Sequence, residues 1–306
     1  MNIPLIDLKA QYKSISEDID RVTKEVLSSA GYIMGKNVTE FEKEFAEYIG
    51  VKHAISVGNG TDALVIALKS LGIGPGDEVI TATFTYFASA ECISAVGATP
   101  VFVDVEKDTF NMDPSKLEEK ITDKTKAIIP VHIFGQSADM DPINEIAKKH
   151  NLKVIEDACQ AVGAKYKGKM IGTLGDAACF SFFPTKNLSC AGDGGMIVTD
   201  DDDIATIARA LRTHGSGETG QKAYNLLNNI TEEVETSKDG DDTVYNPLKY
   251  YNYLIGFNSR LDAIQGAILR VKLPHLDSWN NGRRRVAKIY NEAFKESNVV
   301  APSVRE

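Results

Sequence analysis

The sequence lacks the features that mark several classes of protein. No apolar run approaches the ~20 residues that cross a bilayer, and residues 1–20 meet charge early and have no apolar core of a secretory signal. The 4 cysteines show no Cys-x-x-Cys spacing and the 5 histidines are scattered, which argues against a disulfide framework and a zinc site. We therefore expect a soluble, cytoplasmic protein with reduced thiols and no bound metal.

Positive charge is also scarce. Lys and Arg total 34 against 43 Asp and Glu, which gives a net charge of −9 over 306 residues. An acidic surface repels nucleic acids and anionic membranes, so neither is an expected partner, although a small anionic ligand can bind where a few cations and amide dipoles converge. With 43% hydrophobic and 25% charged residues, the composition is that of a globular protein.

Short apolar runs alternate with helix-compatible segments from residue 51 to about 200. Most of the runs are continuous rather than alternating, which predicts strands buried on both faces of a sheet. The predicted strands are His53–Val57, Glu78–Ala82, Pro100–Val105, Lys126–Phe134, Lys153–Glu156, Ala177–Phe183 and Gly195–Thr199, and the predicted helices between them include Thr61–Leu71, Ala88–Val96 and Pro142–His150. The alternation predicts an α/β fold with a mainly parallel sheet flanked by helices, which binds ligands at the carboxyl ends of its strands.

The regions outside this alternation suggest a division of the chain. Residues 1–50 are predicted to be helical, with Thr39 as the N-cap of the second helix, and further helices are predicted at 202–213, 259–272 and 281–296. Residues 216–250 hold seven acidic residues against three lysines, so we expect a solvated surface insertion there, with a functional lid as the alternative. The expected organisation is a helical segment over 1–50, a large domain over 51–255 and a smaller domain that starts at 256.

Two segments place polar residues at the ends of predicted strands. In 57–64, glycines follow a strand and Thr61 or Asp62 can cap the next helix; the free N–H groups of such a turn bind phosphate, although similar glycines also occur in plain turns. In 154–161, a strand brings Asp157, with Gln160 three residues later, to the edge of the sheet. A buried carboxylate there needs a cationic partner, unless Asp157 caps a helix.

Lys186 lies between an apolar strand and a glycine-rich segment that leads into the next strand. Isolated lysines usually lie on the surface, but this one shares a sheet edge with an acid and a phosphate-binding turn, which makes it a candidate Schiff-base nucleophile. Pyridoxal phosphate needs this combination, because its phosphate, ring nitrogen and aldehyde require a helix N-terminus, a carboxylate and an amine. An aromatic side chain from Thr83–Ala88 can lie on the ring of the cofactor.

Five motifs, in order along the chain, resemble those of the DegT/DnrJ/EryC1/StrS aminotransferases. They are GNGTDAL, TFTYFAS, VIEDACQAVGA, SFFPTKNL with GDGG, and GFNSRLDAIQGAIL. The resemblance implies a fold-type I, aspartate aminotransferase-like enzyme with a seven-stranded sheet, which uses pyridoxal 5'-phosphate to aminate nucleotide-linked sugars as a homodimer with shared active sites. Related chains continue past 281–296 into a small C-terminal domain, so the resemblance also implies that this domain is incomplete here.

The same resemblance assigns roles to individual residues. It makes Lys186 the Schiff-base lysine, pairs Asp157 with the ring nitrogen and brings Gln160 to the ring hydroxyl oxygen. The other implied roles are Gly60, Thr61 and Ser181 on the phosphate, Tyr86 stacked on the ring, Asn258 on the phosphate of the neighbouring subunit, and Tyr32, Thr185 and Arg260 in the sugar-nucleotide site. An ion pair that caps a helix is the alternative for Arg260, and we expect His132 and His214 to be structural.

The reaction that the resemblance implies is a two-step transamination. L-glutamate gives its amino group to the cofactor, a keto group on the nucleotide sugar receives it, and Lys186 moves the proton. The segment 181–195 most resembles members that aminate 3-keto sugars, including UDP-linked keto-uronates. A sugar dehydratase of the same fold is less favoured because those enzymes carry histidine in place of the lysine, and a non-catalytic regulator that binds the cofactor is less favoured because the cofactor positions are intact.

Overall fold

The computed structural model describes residues 6–231, 234 and 250–305. A seven-stranded sheet forms its centre. The strands are β1 (His53–Val57), β2 (Glu78–Ala82), β3 (Thr99–Val103), β4 (Thr125–Ile129), β5 (Lys153–Asp157), β8 (Ala177–Ser181) and β9 (Gly195–Thr199), while β6 (Lys165–Tyr166) and β7 (Lys169–Met170) form a separate hairpin. The predicted strands all exist, although their ends differ by up to a few residues.

The strand order across the sheet is β1-β9-β8-β5-β4-β2-β3. Within this sheet β9 runs antiparallel to both its neighbours, β1 and β8, whereas the pairs from β8 through β5, β4 and β2 to β3 are parallel. Six strands therefore point in one direction, and their carboxyl ends meet along one edge. The prediction of a mainly parallel seven-stranded α/β sheet is confirmed.

Helices cover both faces of the sheet. The described helices are α1 (Leu8–Ser14), α2 (Ser16–Ser29), α3 (Lys36–Ile49), α4 (Gly60–Ser70), α5 (Ala88–Ala95), α6 (Met140–Lys149), α7 (Asp202–Leu211), α8 (Gly217–Leu227), α9 (Ala263–Lys272) and α10 (Leu276–Phe294). Apolar residues of α3, α6 and α9 form a core with one face, and those of α4, α5, α7 and α8 form a core with the other. The result is a three-layer arrangement.

An aromatic cluster fixes the strand that ends at Ser181. Phe180 and Phe182 lie two residues apart and so point to the same side of the chain, where the ring centroid of Phe45 lies 5.3 Å from that of Phe180 and 5.5 Å from that of Phe182. Phe41 meets Phe182 at 5.5 Å. Because side chains alternate along a strand, Ser181 points to the opposite side, towards α4.

Two predicted helix caps are wrong. Helix α3 begins at Lys36 after Gly35, whose positive φ of 82° turns the chain into the helix, so Thr39 lies in the first turn and donates its hydroxyl to the Gly35 carbonyl. Helix α4 begins at Gly60, one residue earlier than predicted, because the Asn59 side chain accepts a hydrogen bond from the Asp62 N–H at 2.8 Å. Neither Thr61 nor Asp62 is the cap.

The segment before α9 also differs from the prediction. The helix predicted from residue 259 begins at Ala263, because Asn258 pairs with Thr213, and Asp262 with Ile33, through isolated β-bridges that keep this stretch extended.

Part of the acidic segment 216–250 is folded. Helix α8 buries Gly220 and Ala223. A Cβ on Gly220 would collide with the Gly215 carbonyl oxygen, so only glycine fits at this position. Residues 232–233 and 235–249 lie outside the described residues, so the expectation of an insertion or lid over 216–250 stays a prediction, as does the division of the chain into domains. Within the described ranges, no helix is long and apolar enough to span a membrane.

Candidate active site

A cavity of about 670 Å³ opens at the carboxyl edge of the sheet. Its walls come from the ends of β1, β2, β4, β5 and β8 and from the start of β9, as the parallel arrangement requires. Eight of the predicted site residues line it: Gly60, Thr61, Tyr86, Asp157, Gln160, Ser181, Thr185 and Lys186. In the part of the chain that the structure describes, no group of His, Cys, Asp and Glu is arranged to hold a metal ion.

The N-terminus of α4 forms one wall of the cavity. The first N–H groups of a helix have no acceptor within the helix, so Gly60 and Thr61 present a positive helix end there. A Cβ on Gly60 would lie 2.7 Å from the Ser181 Cβ, and only glycine therefore allows the helix to approach β8 this closely. The hydroxyl of Ser181 lies beside the same helix end, which makes this wall suited to a phosphate.

Asp157 ends β5 and faces the cavity while only 5% exposed. Its Oδ2 accepts a hydrogen bond from the Ser89 hydroxyl at 2.7 Å, and its Oδ1 accepts one from the Cys159 N–H at 3.2 Å. Among the described residues no Lys, Arg or His forms an ion pair with it. A buried carboxylate without a cation is costly, so this side of the cavity suits a positively charged group of a ligand.

Three thiols lie near Asp157, of which Cys92 and Cys179 are buried and Cys159 is half-buried at the cavity wall. Burial raises the pKa of Cys92, Cys159 and Cys179 above the ordinary range of a thiol, and the nearby carboxylate raises it further. The thiols are therefore neutral near pH 7 and add no second negative charge beside Asp157. The four cysteines are free.

Lys186 follows β8 in a tight turn in which its N–H donates to the Phe183 carbonyl at 2.8 Å. Its side chain is half-buried and lines the cavity. The structure records no hydrogen bond or ion pair of its amine with any described residue, so the amine is available to a ligand. The surface alternative for this lysine is not supported.

Gln160 and Tyr86 complete the walls near Asp157. The Gln160 Oε1 accepts a hydrogen bond from the Phe134 N–H at 2.9 Å, which fixes the side chain against the rim. Tyr86 is 73% exposed although it lines the cavity, so one face of its ring is free to cover a flat ligand.

Three predicted site residues do not reach this cavity in their own chain. Asn258 is exposed and lies in the extended stretch that pairs with Thr213. Tyr32 accepts a hydrogen bond at its carbonyl from the Ala263 N–H, at the start of α9. Arg260 lies in the same region and forms no ion pair with a described residue, so the helix-capping alternative is not supported.

The sequence analysis missed several cavity residues. Thr85 and Ser89 lie four residues apart at the start of α5 and join Asp157 in a hydrogen-bond chain; their i, i+4 spacing in TFTYFAS was the available signal. Asp62, taken only as a possible cap, lines the cavity and accepts a hydrogen bond from Ser259 at 2.6 Å. No local pattern links positions so distant in the sequence.

The fold and the cavity define the class of fold-type I, aspartate aminotransferase-like proteins. The sequence model of the DegT/DnrJ/EryC1/StrS aminotransferase family matches residues 13–305. The "Pleiotropic regulatory protein" of Geobacillus stearothermophilus is 49% identical over 97% of this chain and 72% of its own length. The UDP-2-acetamido-2-deoxy-3-oxo-D-glucuronate aminotransferase of Pseudomonas aeruginosa is 43% identical over 99% of this chain and 76% of its own length.

A solved structure agrees with these relatives. DesV of S. venezuelae, in complex with a ketimine intermediate, is similar to this chain with a TM-score of 0.87 and 41% identity, over 99% of this chain and 74% of DesV. The chain belongs to the DegT/DnrJ/EryC1/StrS aminotransferase family.

Proposed function

We propose that this chain binds pyridoxal 5'-phosphate and transfers an amino group from a donor such as L-glutamate to a keto group on a nucleotide-linked sugar. The observation that carries the proposal is one cavity that contains an unpaired lysine amine, a buried carboxylate without a cation and a helix N-terminus. These are the three groups that the cofactor needs. The cavity residues therefore fit the cofactor.

The phosphate end of the site consists of α4 and β8. The N–H groups of Gly60 and Thr61 donate to phosphate oxygens, and the Ser181 hydroxyl adds a further donor. The contact of Gly60 with Ser181 leaves no space for a Cβ, which keeps the helix end close enough to hold the anion.

The ring end of the site depends on Asp157. Its carboxylate holds the proton on the ring nitrogen, Gln160 contacts the ring hydroxyl oxygen, and Tyr86 covers one face of the ring and excludes water. When bound, the cofactor supplies an electron sink that stabilises the negative charge left when a proton leaves Cα of the amino donor. A protonated ring nitrogen makes that sink stronger, so the charge of Asp157 contributes directly to the rate.

Lys186 has two roles. Its amine would hold the aldehyde of the cofactor and, as a free amine, would take the proton from Cα of the amino donor as general base and return it as general acid. The side chain is half-buried and unpaired among the described residues, so it can swing between these positions without breaking an ion pair.

A second copy of the chain completes the substrate side of the site in this proposal. Asn258 contacts the phosphate in the neighbouring subunit, and Tyr32, Thr185 and Arg260 line the sugar-nucleotide site. The exposure of Asn258 and the absence of a described ion-pair partner for Arg260 support this arrangement. A guanidinium can bind a diphosphate or a sugar carboxylate through two parallel hydrogen bonds.

The sugar is proposed to be a UDP-linked 3-keto uronate. The P. aeruginosa relative, named for such a substrate, is 43% identical. Relatives named for 3-amino dTDP sugars are 43–45% identical, so the position of the keto group has broader support than the choice of nucleotide or uronate. Purified protein supplied with L-glutamate and a panel of UDP- and dTDP-keto sugars tests this, and we expect the fastest product formation with the UDP-keto-uronate. Faster turnover of a dTDP sugar would contradict the choice of sugar without contradicting transamination.

Absorbance spectroscopy tests the reaction itself. The protein with added pyridoxal phosphate is expected to show a visible band that L-glutamate abolishes as pyridoxamine phosphate forms, and Lys186→Ala is expected to lack the band. A band that glutamate leaves unchanged would contradict transamination.

A band that glutamate leaves unchanged would support a non-catalytic regulator that binds the cofactor. The G. stearothermophilus relative, named as a regulatory protein, gives this alternative its support. The dehydratase alternative has less support, because position 186 is lysine and not the histidine of those enzymes. In either case we propose that the protein acts in the cytoplasm without nucleic acid or membrane as a partner, on the basis of its net charge of −9.

A further inference from the structure

Three side chains form a hydrogen-bond chain that ends on Asp157. Thr85 Oγ1 lies 2.8 Å from Ser89 Oγ, and Ser89 Oγ lies 2.7 Å from Asp157 Oδ2. Ser89 is 1% exposed, so water does not compete for its hydroxyl. The contact joins α5 to the end of β5 across 68 residues of sequence.

The donor and acceptor in each of these two hydrogen bonds follow from the number of hydroxyl hydrogens available. An ionised carboxylate only accepts hydrogen bonds, so Ser89 gives its single hydroxyl hydrogen to Asp157. Its lone pairs then accept from Thr85, which must be the donor of the outer bond. Both hydrogen bonds therefore point towards the Asp157 carboxylate.

The same hydrogen-bond chain is connected to the loop that carries Tyr86. Thr85 lines the cavity and precedes Tyr86 directly, while the Ser89 N–H donates to the Tyr86 carbonyl at 3.2 Å. Ser89 thus contacts both the Asp157 carboxylate and the loop that carries Tyr86. Since the Cys159 N–H occupies Oδ1, each oxygen of Asp157 has one protein donor and keeps lone pairs for a ligand.

We propose that Ser89 is a positioning residue that holds the Asp157 carboxylate aimed at the ring nitrogen of the cofactor, with Thr85 setting the orientation of the Ser89 hydroxyl. The proposal rests on the proposed function. Without the hydroxyl, Asp157 loses the donor on Oδ2 that fixes its orientation, and its contact with the ring nitrogen weakens.

The test compares Ser89→Ala with the unmodified protein, using pyridoxal phosphate labelled with ¹⁵N in the ring. The ¹⁵N chemical shift in Ser89→Ala is expected to move towards that of the unprotonated ring. The dissociation constant of the cofactor is expected to rise by roughly 10- to 100-fold, the range for a charged acceptor that loses one donor. The kcat for transamination should fall more than the KM for glutamate changes.

Ser70→Ala is the matched control. Ser70 is also buried, and its hydroxyl donates to the Ile66 carbonyl at the far end of α4. This variant loses a buried hydroxyl without touching Asp157, so its ¹⁵N shift and cofactor affinity should equal those of the unmodified protein. Ser89→Thr keeps the hydroxyl and should restore the ¹⁵N shift.

Three outcomes would overturn the proposal. The first is a Ser89→Ala protein with an unchanged ¹⁵N shift, even if its cofactor affinity falls, because a merely structural role would produce that result. The second, which decides the matter if Ser89→Ala does not fold, is Thr85→Val with no change in the shift. A third is failure of Ser89→Thr to restore the shift in a folded protein. Failure of the unmodified protein to bind the cofactor would instead contradict the proposed function.

Discussion

Glu156 and Asp157 are consecutive residues of β5, and their carboxylates are held on opposite faces of the sheet by different means. Glu156 is fully buried and accepts three backbone N–H hydrogen bonds from the loop 172–175, at 2.8–3.0 Å. It also lies 3.0 Å from Nε2 of His132. Asp157 has only two donors and faces the cavity. One carboxylate is satisfied by the fold, and the other is left to a ligand.

The histidine on Glu156 is part of the scaffold. The Ala138 N–H donates to Nδ1 of His132 at 3.1 Å, so the ring proton is on Nε2 and is donated to Glu156. His132 is completely buried and does not line the cavity. The prediction that it is structural is confirmed.

Substitutions at these two positions are expected to have opposite consequences. Asp157→Asn keeps the side-chain shape, so the free energy of unfolding should change by less than about 1 kcal/mol, whereas turnover should fall by about 100-fold or more because the ring proton loses its partner. Glu156→Gln turns an amide N–H towards backbone donors and should cost about 3 kcal/mol of stability. Urea unfolding and steady-state rates measure both effects.

Each variant is the control for the other. If Asp157→Asn lost as much stability as Glu156→Gln, Asp157 would be a scaffold residue and the proposed contact with the ring would have no support. If Glu156→Gln kept its stability but lost its activity per folded molecule, the division of roles between the two carboxylates would be wrong.

The sequence predicted the elements of this fold better than their ends. Continuous apolar runs such as Ala177–Ser181 are unambiguous, because a strand buried on both faces has little choice of composition. The caps were missed because several nearby residues could have supplied the capping side chain of Asn59 or the turn made by Gly35. Helix α9 starts late because Asp262 pairs with Ile33, a contact that no local pattern reports.

The sequence predicted those site residues whose own side chain or backbone indicates a role in binding or catalysis. Lys186, Asp157 and Gly60 stand at strand ends, so parallel strands alone bring them together. Ser89 was missed because its importance depends on a hydroxyl that meets a carboxylate from another strand.

Gly60 and Gly282 provide a matched test of the cavity wall at the N-terminus of α4, where we propose that the phosphate binds. In Gly60→Ala the new methyl meets Ser181, so we expect a loss of about 1–3 kcal/mol of stability from overpacking and weaker cofactor binding. Gly282 lies within α10, where a Cβ meets nothing within 4 Å, so Gly282→Ala should gain about 0.5–1 kcal/mol from helix propensity. Thermal unfolding and cofactor titration measure both. Unchanged cofactor affinity in Gly60→Ala would argue against a phosphate at this helix end.

The thiol of Cys159 reports on the cavity. It lines the cavity, and burial raises its pKa above the ordinary range. Because only the thiolate reacts with alkylating reagents, labelling of the folded protein should be slow at pH 7 and should accelerate as the pH rises beyond the range in which an ordinary thiol ionises. Bound pyridoxal phosphate should protect the residue.

Mass spectrometry of the labelled protein identifies the residue. Cys159→Ala should remove the modification that the cofactor protects against and leave labelling of the unfolded protein at Cys92, Cys179 and Cys190. Rapid labelling of Cys159 at pH 7 would contradict its raised pKa, and labelling that the cofactor does not slow would show that the thiol does not share the cofactor's cavity.

Complementation between two variants that we expect to be inactive, Lys186→Ala and Asn258→Ala, tests the shared active site. Lys186→Ala lacks the amine that moves the proton, and Asn258→Ala lacks the group proposed to reach the phosphate of the neighbouring subunit. In a mixed dimer, one site receives both defects and the other receives neither. Random association of equal amounts should therefore restore about a quarter of the activity of the unmodified protein, since half of the dimers are mixed and each has one intact site of two.

The alternative arrangement makes a different prediction from the same mixture. If Asn258 served the cavity of its own chain, every site in a mixed dimer would carry one of the two defects, and the mixture would be no more active than the separate variants. Lys186→Ala mixed with Asp157→Asn is the control, because both residues line one cavity of one chain and no exchange of subunits can repair it. Recovery in the first mixture without recovery in the second would establish that Asn258 acts across the interface.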